Sequence, residues 1–132
     1  MKGSRILCFG CEPEMMLLLM DEAEYIQELQ KRSRGPECSP ATLTLADKAV
    51  AAFPKSARLW CLRGNVMCRC LEDCCYSIED AVRCYQKATE LDPFYEHAHE
   101  KLAHYSNEFM EDPAAARRHY KVAAWIRRHE RP

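Results

Sequence analysis

Glycine is scarce in this chain, at four residues in 132, and proline stops at seven. So few turn formers exclude a sandwich or barrel of many short strands, and they also argue against a disordered chain. Long apolar runs are missing too. The stretches "ILCFG" and "MMLLLM" fall far short of the roughly 20 residues of a spanning helix. The first is interrupted at Cys11-Glu12-Pro13-Glu14, so neither an export signal nor a membrane segment is expected. No Gly-rich phosphate loop, nucleophile elbow or HExxH motif occurs, which points to a non-catalytic chain without a cofactor. Neither sign of charge dominates, with 19 Lys and Arg against 20 Asp and Glu. The distribution is uneven, however: residues 72–112 carry eleven acids against three bases, and 113–132 six bases against one acid. A short basic end without interleaved aromatics does not make a nucleic-acid surface.

What the chain does hold is a 48% apolar fraction, enough for one core, arranged at helical spacing. In "DAVRCYQKATELDP", Ala81, Tyr85, Ala88 and Leu91 recur every three or four residues. In "SARLWCLRGNVMCRCL", Leu59, Leu62, Val66 and Cys70 do the same, and Ser56 can cap the helix. "FYEHAHEKLAHYSNEFM" and "DPAAARRHYKVAAWIRR" form a further pair, with Asp112-Pro113 suited to a cap and first position. Upstream, "PEMMLLLMDEAEYIQELQKRS" reads as a helix ending before Gly35-Pro36, and "SPATLTLADKAVAAF" as a helix capped by Ser39. The expectation is about six helices in three hairpins.

The helix endings "KAVAAFPKSARLW", "KATELDPFYEHAH" and "YKVAAWIRRHERP" line up, with Pro54 and Pro93 39 residues apart and Ala88 and Ala123 35 apart. Trp60, Gly64, Ala81, Tyr85, Ala88 and Pro93 stand where the tetratricopeptide repeat (TPR) family has its signature residues, and this chain resembles that family. Arg63 replaces the family's leucine, His99 stands in the tryptophan place of the third unit, and the turn at Glu72 to Tyr76 is about five residues longer than the repeat requires. The resemblance implies an all-α fold of three stacked antiparallel hairpins in a right-handed superhelical array. Its expected layout is an N-terminal extension over 1–13 and a single domain over 14–132, with units at about 14–54, 55–93 and 94–130. Small residues let the helices approach, so Gly64 should face Ala81.

The resemblance also implies a non-catalytic scaffold whose concave groove, lined by the first helix of each hairpin, binds a peptide segment of a protein partner. Matching positions place Arg58, Cys61, Asn65, Cys68 and Arg69 on one stretch of the groove and His97, Glu100, His104, Asn107 and Glu108 on the next. Members that clamp a C-terminal carboxylate carry asparagine at the place of Asn65. Here the lysine one turn earlier is Cys61, and its counterpart in the third unit is Glu100. An acidic third unit beside Arg58 and Arg69 would suit a ligand of mixed or positive charge.

His97, Glu100 and His104 share a helix face and are chemically competent for Zn²⁺ or Fe²⁺, but solvated groove residues are the plainer reading. Nine cysteines, four of them in "CRCLEDCCYS", leave a metal-binding or thiol-redox module as the alternative function. Without an export signal the expectation is a cytoplasmic protein with free thiols. Val122, Trp125 and Ile126, near the end of the last helix, are expected to stay partly exposed and could seed a homodimer through that helix.

Overall fold

A computed structural model describes residues 20–35, 39–70 and 76–130. Among the described residues there are six helices and no strand: α1 (Glu22–Ser33), α2 (Pro40–Ala52), α3 (Ala57–Arg69), α4 (Ile78–Leu91), α5 (Glu96–Glu108) and α6 (Pro113–Glu130). None of them is long and apolar enough to cross a membrane. The fold is an all-α, TPR-like helical repeat, with α3 against α4 and α5 against α6 as its most extensive pairings. α1 rests on both α2 and α3, and α4 carries the chain over to α5.

Local chemistry starts most of these helices. Ser39, Ser56 and Ser77 each accept the backbone N–H three residues on, and Asp112 accepts from Ala115 across Pro113. Such caps satisfy donors that the first helical turn otherwise leaves open. α1 differs from expectation. Asp21 accepts from the Glu24 N–H at 2.8 Å while Glu24 accepts from the Asp21 N–H at 3.2 Å, a reciprocal box that starts the helix at Glu22 rather than upstream. The rest of the expected first helix lies outside the described residues.

The core runs from Tyr25 and Leu29 of α1 through Leu45, Ala46 and Ala49 of α2 to Leu59, Val66 and Met67 of α3. It continues through Ala81, Tyr85 and Ala88 of α4 to Ala98 and Leu102 of α5. Its tightest point is Gly64. A methyl group there would meet Tyr85 Cε1 at 2.9 Å and the Ala81 carbonyl oxygen at 3.2 Å, so α3 and α4 touch at a distance that only glycine permits.

Two ring donors seat the first helices of the second and third hairpins. Trp60 Nε1 donates to the Pro54 carbonyl, and His99 Nε2 donates to the Pro93 carbonyl, both at 2.8 Å and both six residues back. His99 therefore makes in the third hairpin the bond that the tryptophan makes in the second. With Nε2 donating, His99 Nδ1 is left to accept, and His119 Nδ1 lies 3.0 Å away to supply the hydrogen. This bond needs a neutral His99 ring, whose Nδ1 keeps its lone pair, and an Nδ1–H on His119. Burial, then His99 and Arg118, hold His119 below the usual histidine range.

Arg63, in place of the family's leucine, is gripped from three sides. Its Nε donates to Asp47 of α2 at 2.8 Å, its Nη1 to Cys84 of α4 at 3.1 Å, and its guanidinium lies 5.8 Å from the Trp60 ring and 5.5 Å from the Tyr76 ring. An arginine survives here because its charge is paired and its plane stacked.

Two outcomes are expected. Gly64→Ala should lower stability by about 1–2 kcal/mol in denaturant melts, because overpacking against a buried ring outweighs the helix-propensity gain of alanine. The second concerns pH. Because the folded pKa of His119 is depressed, the unfolded chain binds the proton more readily below its own value of about 6.5. Stability should be intact above that pH and fall as pH drops toward the folded pKa. Thermal melts of His119→Gln should be flatter over the same window.

Candidate functional site

α3 and α5 bring the expected groove residues together in two groups. On α3, Arg58 is exposed, and Asn65 and Cys68 are half-buried. Tyr85 reaches across from α4 and donates its hydroxyl to Asn65 Oδ1 at 2.7 Å, with Cys68 Sγ 3.8 Å from the same hydroxyl. With Oδ1 accepting from Tyr85, the Asn65 side-chain amide is held in place, and its N–H donors have no partner among the described residues. The Tyr85 ring stacks on Tyr105 of α5 at 5.9 Å and 11°. Burial, followed by the nearby Cys68, raises the pKa of both tyrosines, so the hydroxyls stay protonated donors at neutral pH.

Two other α3 residues are placed differently. Cys61 is 1% exposed, and burial pushes its thiol up to about 12, so this side chain packs into the core and offers nothing to solvent. Arg69 crosses to α1, where its guanidinium donates to the Ser33 carbonyl and, at 2.6 Å, to the Gly35 carbonyl. Its donors close the end of α1, whose last carbonyls have no helical partner.

On α5, His97, Glu100, Lys101 and His104 line an open cleft of about 400 Å³, closed on the far side by Tyr120 of α6. The acidity expected here is offset: Arg127 of α6 donates to Glu100 at 3.1 Å and to Glu96 at 3.4 Å. Burial, then Lys101, lowers the His97 pKa, which favours a neutral ring at pH 7. Among the described residues no three His, Cys, Asp or Glu side chains come together closely enough to hold a metal ion, and His97, Glu100 and His104 share a wall rather than a coordination point. Asn107 donates to Glu108 at 3.2 Å, with both exposed.

The sequence reading missed an aromatic component. His104 lies edge-on to Tyr105 at 4.9 Å, and Tyr105 packs on Phe109 at 5.4 Å. Phe109 and Met110 are 54% and 44% exposed. The helical spacing of Tyr105 and Phe109 reads equally well as core, and only the end of α5 at Glu108 leaves the phenyl ring in solvent. At the C-terminal helix, Trp125 is 44% exposed beside Phe94, whereas Ile126 is fully buried, contrary to expectation, because it faces the α5 side of the hairpin.

Among the described cysteines, Cys61, Cys68 and Cys84 are free, and Cys70 is disulfide-bonded, which departs from the expectation of free thiols throughout. Burial also raises the Cys84 pKa, with Arg63 opposing it. Buried thiols of raised pKa are the opposite of reactive ones.

No family model and no curated protein matches the chain. Solved structures similar to it include two of MamA. One is MamA, residues 41 to the end, from Desulfovibrio magneticus RS-1, with 22% identity, a TM-score of 0.59, and coverage of 84% of this chain and 55% of that one. The other is the MamA RS-1 ArsTM double mutant, with 22% identity, a TM-score of 0.60, and coverage of 83% and 53%. The chain thus spans about half the length of the structures it matches, and the likeness is one of fold.

Native-state alkylation at pH 8 followed by peptide mass spectrometry should modify Cys68 ahead of Cys61 and Cys84. Cys61 and Cys84 should react only after denaturant is added, and equal labelling of all three would contradict their placement.

Proposed function

We propose that the protein is a non-catalytic interaction scaffold that binds an extended peptide segment of a protein partner along α3 and α5. The observation that carries this reading is the fixed Asn65 side chain. Its oxygen is committed to Tyr85, which leaves amide donors directed to a ligand, and a buried, stacked tyrosine keeps that geometry without cost at binding. Beside it, Tyr105, His104 and Phe109 supply the aromatic surface that anchors peptide side chains at interfaces.

The paired state of Glu100 changes the ligand that fits. With Arg127 offsetting Glu100 and Glu96, the groove reads as polar and aromatic, with Arg58 and Lys101 as exposed or half-buried cations, rather than as an acidic trough. A peptide with apolar side chains and backbone groups open to Asn65 suits it better than a strongly basic one. Distant likeness to MamA structures adds that the fold belongs to helical repeats, which present such elongated surfaces.

Affinity capture from native lysate tests the reading when wild type is compared with Asn65→Ala/His104→Ala and with Gln86→Ala, an exposed change on α4. A groove partner should be retained by Gln86→Ala and weakened at least about tenfold by the double variant, the equivalent of about 1.4 kcal/mol. Equal retention by all three proteins would refute groove binding.

A further inference from the structure

Residues two apart on a helix point about 200° from each other, so Arg63 faces nearly opposite to Asn65. On that side of α3 lies a second cleft, of about 290 Å³, between α3 and α4. That volume is at or below the lower end of small-molecule sites, which begin near about 300 Å³. It has room for one large side chain rather than a cofactor. The Trp60 and Tyr76 rings wall it, and Arg63, only 17% exposed at its side chain, forms part of its floor.

The hydrogen-bond inventory of this cleft is one-sided. Arg63 spends Nε on Asp47 and Nη1 on Cys84, which leaves Nη2 as a spare donor. The acid in the lining, Asp80, is occupied: it accepts from the Ser77 backbone N–H at 2.8 Å and from Arg83 at 2.9 Å. Lys87, exposed on α4, makes no ion pair among the described residues, and Arg83 reaches the rim with its side chain 75% exposed. Apolar walls combined with the Lys87 ammonium and the donors that Arg63 and Arg83 retain beyond their bonds to Asp47 and Asp80 call for a ligand that is apolar at one end and anionic at the other.

We propose that this cleft is a second docking site, separate from the α3 and α5 groove, which receives an aromatic side chain and its neighbouring carboxylate from a protein partner. The ring enters between Trp60 and Tyr76, and the carboxylate meets Lys87, Arg83 and the open edge of the Arg63 guanidinium. Charge-assisted bonds to a carboxylate are about twice as strong as neutral ones, so the acid sets the orientation. Arg63, standing where the TPR pattern has leucine, makes the floor cationic, and Tyr76, just ahead of α4, supplies a wall.

Trp60 reports directly on occupancy. In full-length protein carrying Trp125→Phe, Trp60 is the remaining tryptophan, and its fluorescence can be followed during titration at constant ionic strength. The probes are N-acetylphenylalanine, its amide, and inorganic phosphate. N-acetylphenylalanine should give a saturable change with a Kd on the order of a millimolar, in keeping with a ligand of that size. The amide and phosphate should each bind at least about fivefold more weakly, the effect of losing one charge-assisted bond or the apolar contact. Arg83→Ala/Lys87→Ala, a change at exposed positions that leaves the core intact, should abolish the preference for the acid over the amide. Absence of saturation, equal binding of the amide, phosphate binding as tightly as the acid, or an unchanged preference in the double variant would each overturn the proposal. Loss of a groove partner through Asn65 has no bearing on this result, because the two sites face opposite sides of α3.

Discussion

The contact between Gly64 and Tyr85 sets the separation of α3 and α4, and most of the molecule's organisation can be traced outward from it. With no Cβ on α3, the Tyr85 ring lies against the helix backbone and is fully buried, while the Ala81 carbonyl closes the other side. A ring held this way has little freedom left to lose. Its hydroxyl emerges at one place, beside Asn65 and Cys68, and its outer face meets Tyr105 of the next hairpin. Core packing, inter-hairpin stacking and the polar surface of the proposed groove therefore share one side chain. That arrangement gives the candidate site a rigid support of the kind that preorganised recognition needs.

Around this centre the chain uses the same device twice with different residues. Trp60 and His99 each tie the start of their hairpin to a proline carbonyl six residues earlier. The histidine version adds a second ring nitrogen, which enlists His119 and makes the last hairpin responsive to protonation. The exchange of tryptophan for histidine thus keeps the geometry of the repeat and alters its chemistry. Arg63 is the opposite case, since its replacement of leucine changes both the packing and the charge of the α3 and α4 interface.

The parts of this structure visible in the sequence are those governed by near neighbours. Ser39, Ser56 and Asp112-Pro113 act as the caps their positions suggest, and the helical spacing around Gly64, Ala81 and Ala88 identifies the hairpin that they close. The start of α1 was legible too, as Asp21-x-x-Glu24, but the adjacent apolar "MMLLLM" suggests a longer helix and masks the capping box. What spacing alone could not supply are the bonds across 27 to 36 residues: Arg127 to Glu100, and Arg69 to the end of α1. Each takes a charge that looks free along the chain and spends it on another helix. Cys61 and Ile126 illustrate the same limit for burial, because which side of a helix is covered depends on the neighbouring hairpin rather than on the residue's own period.

The central claim is that Tyr85 couples the packed α3 and α4 interface to the orientation of Asn65. A double-mutant cycle with Tyr85→Phe, Asn65→Ala and the pair, read as unfolding free energies in denaturant, isolates that coupling from the separate effects of each change. The account predicts a coupling energy of about 1 kcal/mol, the net worth of one half-buried hydrogen bond. Additive effects, with a coupling below about 0.3 kcal/mol, would contradict it.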